Sequence, residues 1–327
     1  MFTAVSDRSQ VAEARRRVSD EAAKIGLPRD RIDQTDIVVT ELATNLIKHG
    51  DGGFIHARLY DDAGGSGLEI LAMDRGKGMA DVGRCMEDGY STAGSPGNGL
   101  GAIKRLTDDM RTYSRPGLGT AVMARLMHRP GTGRGMLVGA VLAPYPGEQV
   151  CGDNWSFSQP QAGPTLLMAD GAGHGVEAAR AAEAAVQTFS ANINLSCEEI
   201  VEALHRALGP TRGAAVAVAR VDVAARTVRF VGVGNISAIL VHSNGARHMV
   251  SHNGTAGHVA PRIREFAYEF DGEPLVILHS DGLATRWDIA AYPGLTVQHP
   301  SLVAGVLLRD HRRGRDDASV VAMRTAP

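Results

Sequence analysis

The stretch Thr40-Glu41-Leu42-Ala43-Thr44-Asn45-Leu46-Ile47-Lys48-His49-Gly50 decides how the first half of this chain is read. It closes a helix that the pattern places from about Arg31 to His49, with Ile37, Val38, Leu42, Leu46 and Ile47 near one face and Gly50 as the stop. Glu41 and Asn45 are four residues apart and so share a face of that helix. Such a pair alone describes a solvated surface, and two downstream segments change its meaning. Met73-Asp74-Arg75-Gly76-Lys77-Gly78-Met79 trails a strand and supplies D-x-G-x-G. Gly97-Asn98-Gly99-Leu100-Gly101 is then a glycine-rich turn that opens another helix, leaving backbone N–H groups and a helix N-terminus for an anionic phosphate. A single glycine-rich turn is weak evidence, but three such boxes in this order are strong.

Around these boxes the chain reads as helix 9–26, strands 53–60 and 67–74, helix 100–108, and a strand pair near 110–115 and 120–127 around Arg115-Pro116-Gly117-Leu118-Gly119. Arg129-Pro130-Gly131-Thr132-Gly133-Arg134-Gly135 is a linker by composition. Beyond it strands dominate: 136–143, 165–170, 214–221, 227–232, 237–242, 275–280 and 318–324, interrupted by helices 175–190 and 197–208. Strands enclosing paired helices suggest a β-sandwich flanked by helices. The expected division is a domain over 1–128, a linker over 129–135 and a domain over 136–327.

Whole-chain properties limit the options. The 327 residues suffice for two cores. Net charge is −2, from 34 Lys+Arg against 36 Asp+Glu, and offers no electrostatic reason to expect nucleic acid or an anionic membrane. No apolar run reaches the ~20 residues that span a bilayer, and the first twenty residues lack the apolar core of a secretory signal. A cytoplasmic location is expected. Cys85, Cys151 and Cys197 are odd in number, far apart and in no C-x-x-C pair, which reads as reduced thiols.

The N-terminal boxes resemble the GHKL ATPases and, within them, small bacterial switch kinases of the RsbT type. The resemblance rests on Val38-Val-Thr-Glu-Leu-Ala-Thr-Asn45, Asp88-Gly-Tyr-Ser-Thr-Ala-Gly94, Gly97-Asn-Gly-Leu-Gly-Ala-Ile-Lys-Arg-Leu106 and Gly117-Leu-Gly-Thr120. It implies a GHKL (Bergerat) α/β sandwich that binds ATP with Mg²⁺. By that resemblance Asn45 binds the Mg²⁺ that bridges the ATP phosphates, a hard amide oxygen suited to this ion. Glu41 is the general base toward a protein serine or threonine. Asp74 accepts from the adenine amino group, and Gly76 and Gly78 let the backbone pass the base. Gly97, Gly99, Leu100 and Gly101 hold the phosphate lid, and Thr120 sits near adenine. Lys77 stands where many relatives have proline. No phospho-acceptor histidine helix precedes these boxes, which weakens a histidine-kinase reading.

Four acidic segments mark the second half: Gly152-Asp153-Asn154-Trp155, Ala169-Asp170-Gly171-Ala172-Gly173-His174-Gly175, Ser280-Asp281-Gly282 and Arg315-Asp316-Asp317-Ala318-Ser319. Each lies near the end of an apolar strand, and strand ends can converge on one edge of a sandwich. Gathered carboxylates repel unless cations neutralise them, so a site for two Mn²⁺ or Mg²⁺ ions is the natural reading. Any one Asp-Gly is by itself a surface turn; the set, with Phe230-Val-Gly-Val-Gly-Asn-Ile236, resembles the metal-dependent PPM phosphatases of the SpoIIE/RsbX branch. That resemblance implies an α-β-β-α sandwich, hence an α+β chain overall. It implies Asp153 and Asp170 as ligands, the latter bridging, with the Gly171 carbonyl, Asp281 and Asp316 completing the set. Asp317 is read as a neighbour and His174 as a residue that starts a helix. Asn154-Trp155 departs from the commoner Gly-Asp-Trp order, and no arginine is assigned to hold phosphate.

Together the two halves imply a bifunctional switch enzyme that phosphorylates and dephosphorylates a STAS-domain protein, an anti-sigma antagonist or stressosome-type partner, with a downstream regulator as a further candidate. The alternative is an ATP-sensing or sigma-sequestering module regulating a single active phosphatase.

Overall fold

The structure is a computed structural model, and it describes residues 1–85, 99–260 and 262–326. The described residues form a mixed α+β fold with three five-stranded sheets. It groups into two compact units, Met1–Arg134 with Ser301–Asp310, and Gly135–Pro300 with His311–Pro327.

The first unit holds strands β1 Phe2–Val5, β2 Gly53–Asp62, β3 Gly65–Asp74, β4 Asp109–Ser114 and β5 Thr120–Pro130. They form one sheet in the order β1-β2-β3-β5-β4, and all described pairings are antiparallel. Helices α1 (Arg8–Lys24) and α2 (Arg29–His49) supply one layer, and α3 (Val82–Cys85) and α4 (Gly99–Leu106) follow β3. Asp7 caps α1, its side chain accepting from Ser9 N while Gln10 reaches back. The alternation of β3 then sorts its residues by face. Leu68, Ile70 and Ala72 join Val38, Leu42 and Leu46 of α2 and Val122, Ala124 and Leu126 of β5 in the core. Among the intervening residues runs a buried ionic row. Arg125 donates to Glu69 and to Asp62, both at 2.8 Å, and lies 4.0 Å over the Tyr60 ring. Arg58 Nε also donates to Glu69, at 2.8 Å.

Residues 301–310 of this unit lie within a helix, Pro300–His311, that the sequence pattern does not disclose. Ser301 Oγ donates to Glu69 at 2.8 Å, and a Cβ on Gly305 would come within 2.9 Å of Met73 Sδ. Every residue from Pro300 to Arg309 is buried, so the helix is apolar nearly all round and has no periodicity to read.

The second unit has two sheets. One contains β7 Asp153–Ser158, β8 Thr165–Gly171, β9 Ala214–Asp222, β10 Thr227–Val233 and β13 Phe266–Glu269, in the order β13-β10-β9-β8-β7. The other contains β6 Met136–Ala143, β11 Ser237–His242, β12 Gly245–Met249, β14 Leu275–His279 and β15 Ala318–Thr325, in the order β12-β11-β14-β15-β6. Met136, Val138, Leu240, Leu278 and Val321 of one sheet meet Leu166, Met168, Ala217 and Phe230 of the other in a shared core. Helices α5 (Val176–Ala191) and α6 (Cys197–Ala207) cover the outer face of the sheet that carries β8 and β9. Ser196 and Glu199 form a capping box at the start of α6. The Pro300–His311 helix is α7.

No described helix is long and apolar enough to cross a membrane. Cys85, Cys151 and Cys197 are free thiols.

Candidate active sites

In the first unit, α2 projects Glu41 and Asn45 toward the start of α4. A Cβ on Gly99 would stand 3.2 Å from Glu41 Oε2 and 3.5 Å from Asn45 Oδ1. Only a residue without a side chain leaves that space open. Leu100 is partly buried and Gly101 buried, both inside α4. Gly97, Asn98 and the 88–94 segment lie outside the described residues.

Asp74 ends β3 and is 9% exposed. Its Oδ1 accepts from Gly76 N at 2.8 Å and from Thr120 N at 3.3 Å. Burial pushes its carboxyl above the usual carboxylate range. Gly78 has φ +70° and a side chain there would collide with the Arg115 carbonyl, so the D-x-G-x-G turn needs its second glycine for both conformation and space. Thr120 Oγ1 lies 2.9 Å from Ser114 Oγ, which also accepts from Met79 N at 2.8 Å. Ser114 is thus a member of this cradle that carries no sequence signal, being a lone serine at the end of a strand. Arg309 of α7 donates through Nη1 to the Asp74 carbonyl at 2.9 Å.

In the second unit the four acidic segments reach one edge. Asp153 opens β7 and Asp170 nears the end of β8, and the two are registered partners across the antiparallel pair. Asp281 follows β14 and Asp316 precedes β15. Asp170, Asp281 and Asp316 line one cavity of about 350 Å³. Asp153 is 3% exposed; the Ser280 and Ser319 hydroxyls lie beside its carboxylate, yet neither oxygen has a hydrogen-bond partner of good geometry. Burial raises the carboxyls of Asp153 and Asp170, and for Asp170 the charges of Asp153, Asp281 and Asp316 raise it further. Asp281 is raised by burial and by Asp316. Orphaned carboxylate oxygens beside three more carboxylates are a donor set suited to hard divalent cations. Among the described residues no three acidic, His or Cys side chains stand in a ready coordination shell. Asp281 instead accepts from Asn235 Nδ2 at 2.6 Å.

Asp317 turns elsewhere. Its Oδ1 accepts from Tyr145 N at 2.8 Å, and its Oδ2 lies 2.6 Å from where a Gly152 Cβ would be. Gly171 faces the backbone of Ala178 with no room for a side chain. Asn154 donates to Glu183 at 3.1 Å and does not line the cavity. His174 stacks on Tyr145 at 4.3 Å and lies 3.3 Å from Glu148, just before α5. Asn235, Asn253 and Thr255 also line the cavity. Sequence reasoning misses all three as site residues: Asn235 sits within a quoted glycine motif that gives it no role, and the 243–274 loops carry no motif.

A glycine-walled Glu–Asn pair on one α/β unit and an acidic edge on the double sheet of the other are the two candidate sites, and comparison with known proteins gives the class of each half. The histidine kinase-like ATPase domain family matches residues 4–127. The stage II sporulation protein E (SpoIIE) family matches residues 161–326, and the chain belongs to that family. The first half is an RsbT-like kinase domain: the serine/threonine-protein kinase RsbT of Bacillus subtilis (strain 168) is 40% identical over 95 residues, covering 28% of this chain and 71% of that protein. A stressosome structure, described as a modular system adapted to control secondary messenger signaling, matches with TM-score 0.54 and 28% identity over 58% of this chain and 99% of that one. The structure of RsbX in complex with magnesium shares the fold, with TM-score 0.52 and 19% identity over 58% of this chain and 95% of that one.

Proposed function

We propose that this chain is a cytoplasmic switch enzyme with two opposing activities on one class of partner, a STAS-domain protein: ATP-dependent phosphorylation of a serine or threonine, and metal-dependent removal of that phosphate. The observation that carries the reading is the convergence of Glu41 and Asn45 on Gly99 in a chain that also gathers Asp153, Asp170, Asp281 and Asp316 at one sheet edge. A silent nucleotide fold has no need of a carboxylate at that point.

In the kinase half, Asp74 accepts a hydrogen bond from the adenine amino group while Gly76, Gly78 and Thr120 shape the cradle around the base. Gly99, Leu100 and Gly101, at the start of α4, face the phosphates. Asn45 holds Mg²⁺, which when bound neutralises phosphate charge. Glu41 takes the proton of the attacking hydroxyl, and its placement one helical turn from Asn45 keeps base and phosphates in register. In the phosphatase half, Asp153, Asp170, the Gly171 carbonyl, Asp281 and Asp316 hold two Mn²⁺ or Mg²⁺ ions. When bound, such a pair supplies a water acidic enough to act as nucleophile at neutral pH. Asn235 orients Asp281, and Asp317 fixes the 145–152 segment that presents Asp153. Joining both activities raises the effective concentration of each around one partner.

One observation favours a second reading, in which the nucleotide unit senses ATP and regulates a single active phosphatase. Arg309 ties the strand end that bears Asp74 to helix α7, so adenine binding and the position of α7 are mechanically linked within that unit. The experiment is incubation of the purified chain with labelled ATP, Mg²⁺ and a STAS protein from the same genome, followed by ATP removal and Mn²⁺ addition. Label that appears on the STAS protein, is absent with Glu41→Gln, and then disappears unless Asp281 is Asn supports the bifunctional reading. ATP binding without labelling of any STAS protein leaves the sensor reading.

A further inference from the structure

We propose that Arg212 is the residue that grips the phosphoryl group of the phosphatase substrate. The inference rests on the phosphatase reading of the acidic cavity and adds to it the cationic contact that neither the motifs nor the family matches assign.

Arg212 sits in the short connection between α6 and β9, and this connection is held on several sides. Thr211 Oγ1 donates to the Leu208 carbonyl at 2.7 Å and accepts from Gly213 N at 3.0 Å. His258 Nε2 lies 3.1 Å from the Thr211 carbonyl. The Gly213 carbonyl accepts from Ala172 N at 3.0 Å, which pins the connection directly to the turn that follows Asp170. The backbone under Arg212 is therefore fixed relative to the acidic cavity.

The side chain reaches the doorway of that cavity. Its Nη1 lies 3.4 Å from the position a Cβ would take on Gly173. Gly173, with φ +87°, lines the acidic cavity. It also lines an adjoining groove of about 480 Å³ together with Glu148, His174, Val176, Glu177 and Arg212. A side chain at position 173 would be strained and would crowd the guanidinium. Among the described residues Arg212 makes no ion pair, although Glu148 and Glu177 share its groove. A long cationic side chain left unpaired at the mouth of an acidic cavity, on an immobilised connection, is set up for a ligand and not for the fold.

The charge balance points to which ligand. Four carboxylates balance two divalent cations and leave nothing over for a phosphomonoester, which brings a charge of about −2. A guanidinium meets two phosphoryl oxygens with two parallel N–H donors, a geometry a lysine ammonium does not reproduce. Gly173 borders both cavities, so Arg212 would hold non-bridging oxygens from the groove side while the ester oxygen and the peptide run out toward Val176 and Glu148.

The test uses the full chain loaded with Mn²⁺, with p-nitrophenyl phosphate as substrate and inorganic phosphate as competing ligand. Arg212→Gln is expected to raise KM and the inhibition constant of phosphate by about tenfold or more, the loss expected for one charge-assisted contact. Its Mn²⁺ affinity by calorimetry should stay within about threefold of the wild type, because the guanidinium is assigned to the phosphoryl group and not to the acidic edge. Arg212→Lys should fall between the two. Unchanged KM and phosphate inhibition in Arg212→Gln would overturn the assignment, and so would a loss of Mn²⁺ binding, which would make the residue a prop of the acidic edge. Thermal stabilisation by phosphate needs no turnover. Stabilisation of the wild type but not of Arg212→Gln, in a chain that hydrolyses neither ester nor phosphoprotein, would uphold Arg212 while removing the phosphatase reading.

Discussion

Gly99 shows how one absent side chain can matter more than those present. It opens α4 and is not among the glycines with positive φ, so alanine there brings no backbone strain. The added methyl, however, meets Glu41 Oε2 at 3.2 Å and displaces the carboxylate by a few tenths of an ångström. Gly99→Ala should leave the denaturation midpoint unchanged or raised while phosphoryl transfer falls about tenfold, because transfer is sensitive to small misplacement. The acidic edge gives a prediction in pH. The Asp153 and Asp170 carboxyls are raised in the folded chain above their unfolded values. Their contribution to stability is fully present below the unfolded carboxyl range, near ~4, and is lost as pH rises through the folded values. In chelator, the urea midpoint should therefore be lower at pH 8 than at pH 6, and Asp170→Asn should flatten the slope. Added Mn²⁺ should reverse it, since cations bind the deprotonated ligands. Arg125 carries the largest expected effect on stability. Arg125→Met removes the guanidinium that joins two carboxylates only 1% exposed, Asp62 and Glu69, and should cost about 3–5 kcal/mol by urea denaturation.

At the scale of elements, α7 is decisive. Gly305 packs against Leu71 and Met73 of β3. Gly305→Val should destabilise the chain by about 1–3 kcal/mol through overpacking, read as a lower midpoint with ATP affinity measured alongside. This helix also marks where the sequence stops being legible. α1, α2, α5 and α6 are readable because each buries one face, and α1 and α6 also cap themselves with recognisable residues. The α7 run Leu302-Val-Ala-Gly-Val-Leu-Leu308 is buried throughout and presents no period of any kind. β1, β12 and β13 are four or five residues long, too short for alternation to register. β7 begins on Asp153 and alternates weakly, so its acidic first residue is legible while the strand is not. At the sites, residues set in glycine or aspartate motifs are visible, because those motifs supply backbone room and negative charge. Ser114, Asn235 and Arg212 are not, because the groups that give them a role come from other parts of the chain.

For the whole molecule, the two compact units are not successive segments. The chain passes between them at 134/135, 300/301 and 310/311. A fragment ending at Arg134 would keep all five strands of the first sheet and lack the helix that contacts Glu69, Leu71 and Met73. Such a fragment should be less soluble and unfold at a lower urea concentration than the same fragment with residues 300–311 attached by a flexible tether; equal midpoints would show that α7 contributes nothing to that sheet. The same threading has a consequence during synthesis. A ribosome releases residue 134 long before residue 310, and at ~5–20 residues per second the interval is roughly 9–35 s. For that time the nascent sheet carries an uncovered apolar strip beside a buried-charge row not yet closed by Ser301. The first-made sheet of this protein is finished by one of its last-made helices.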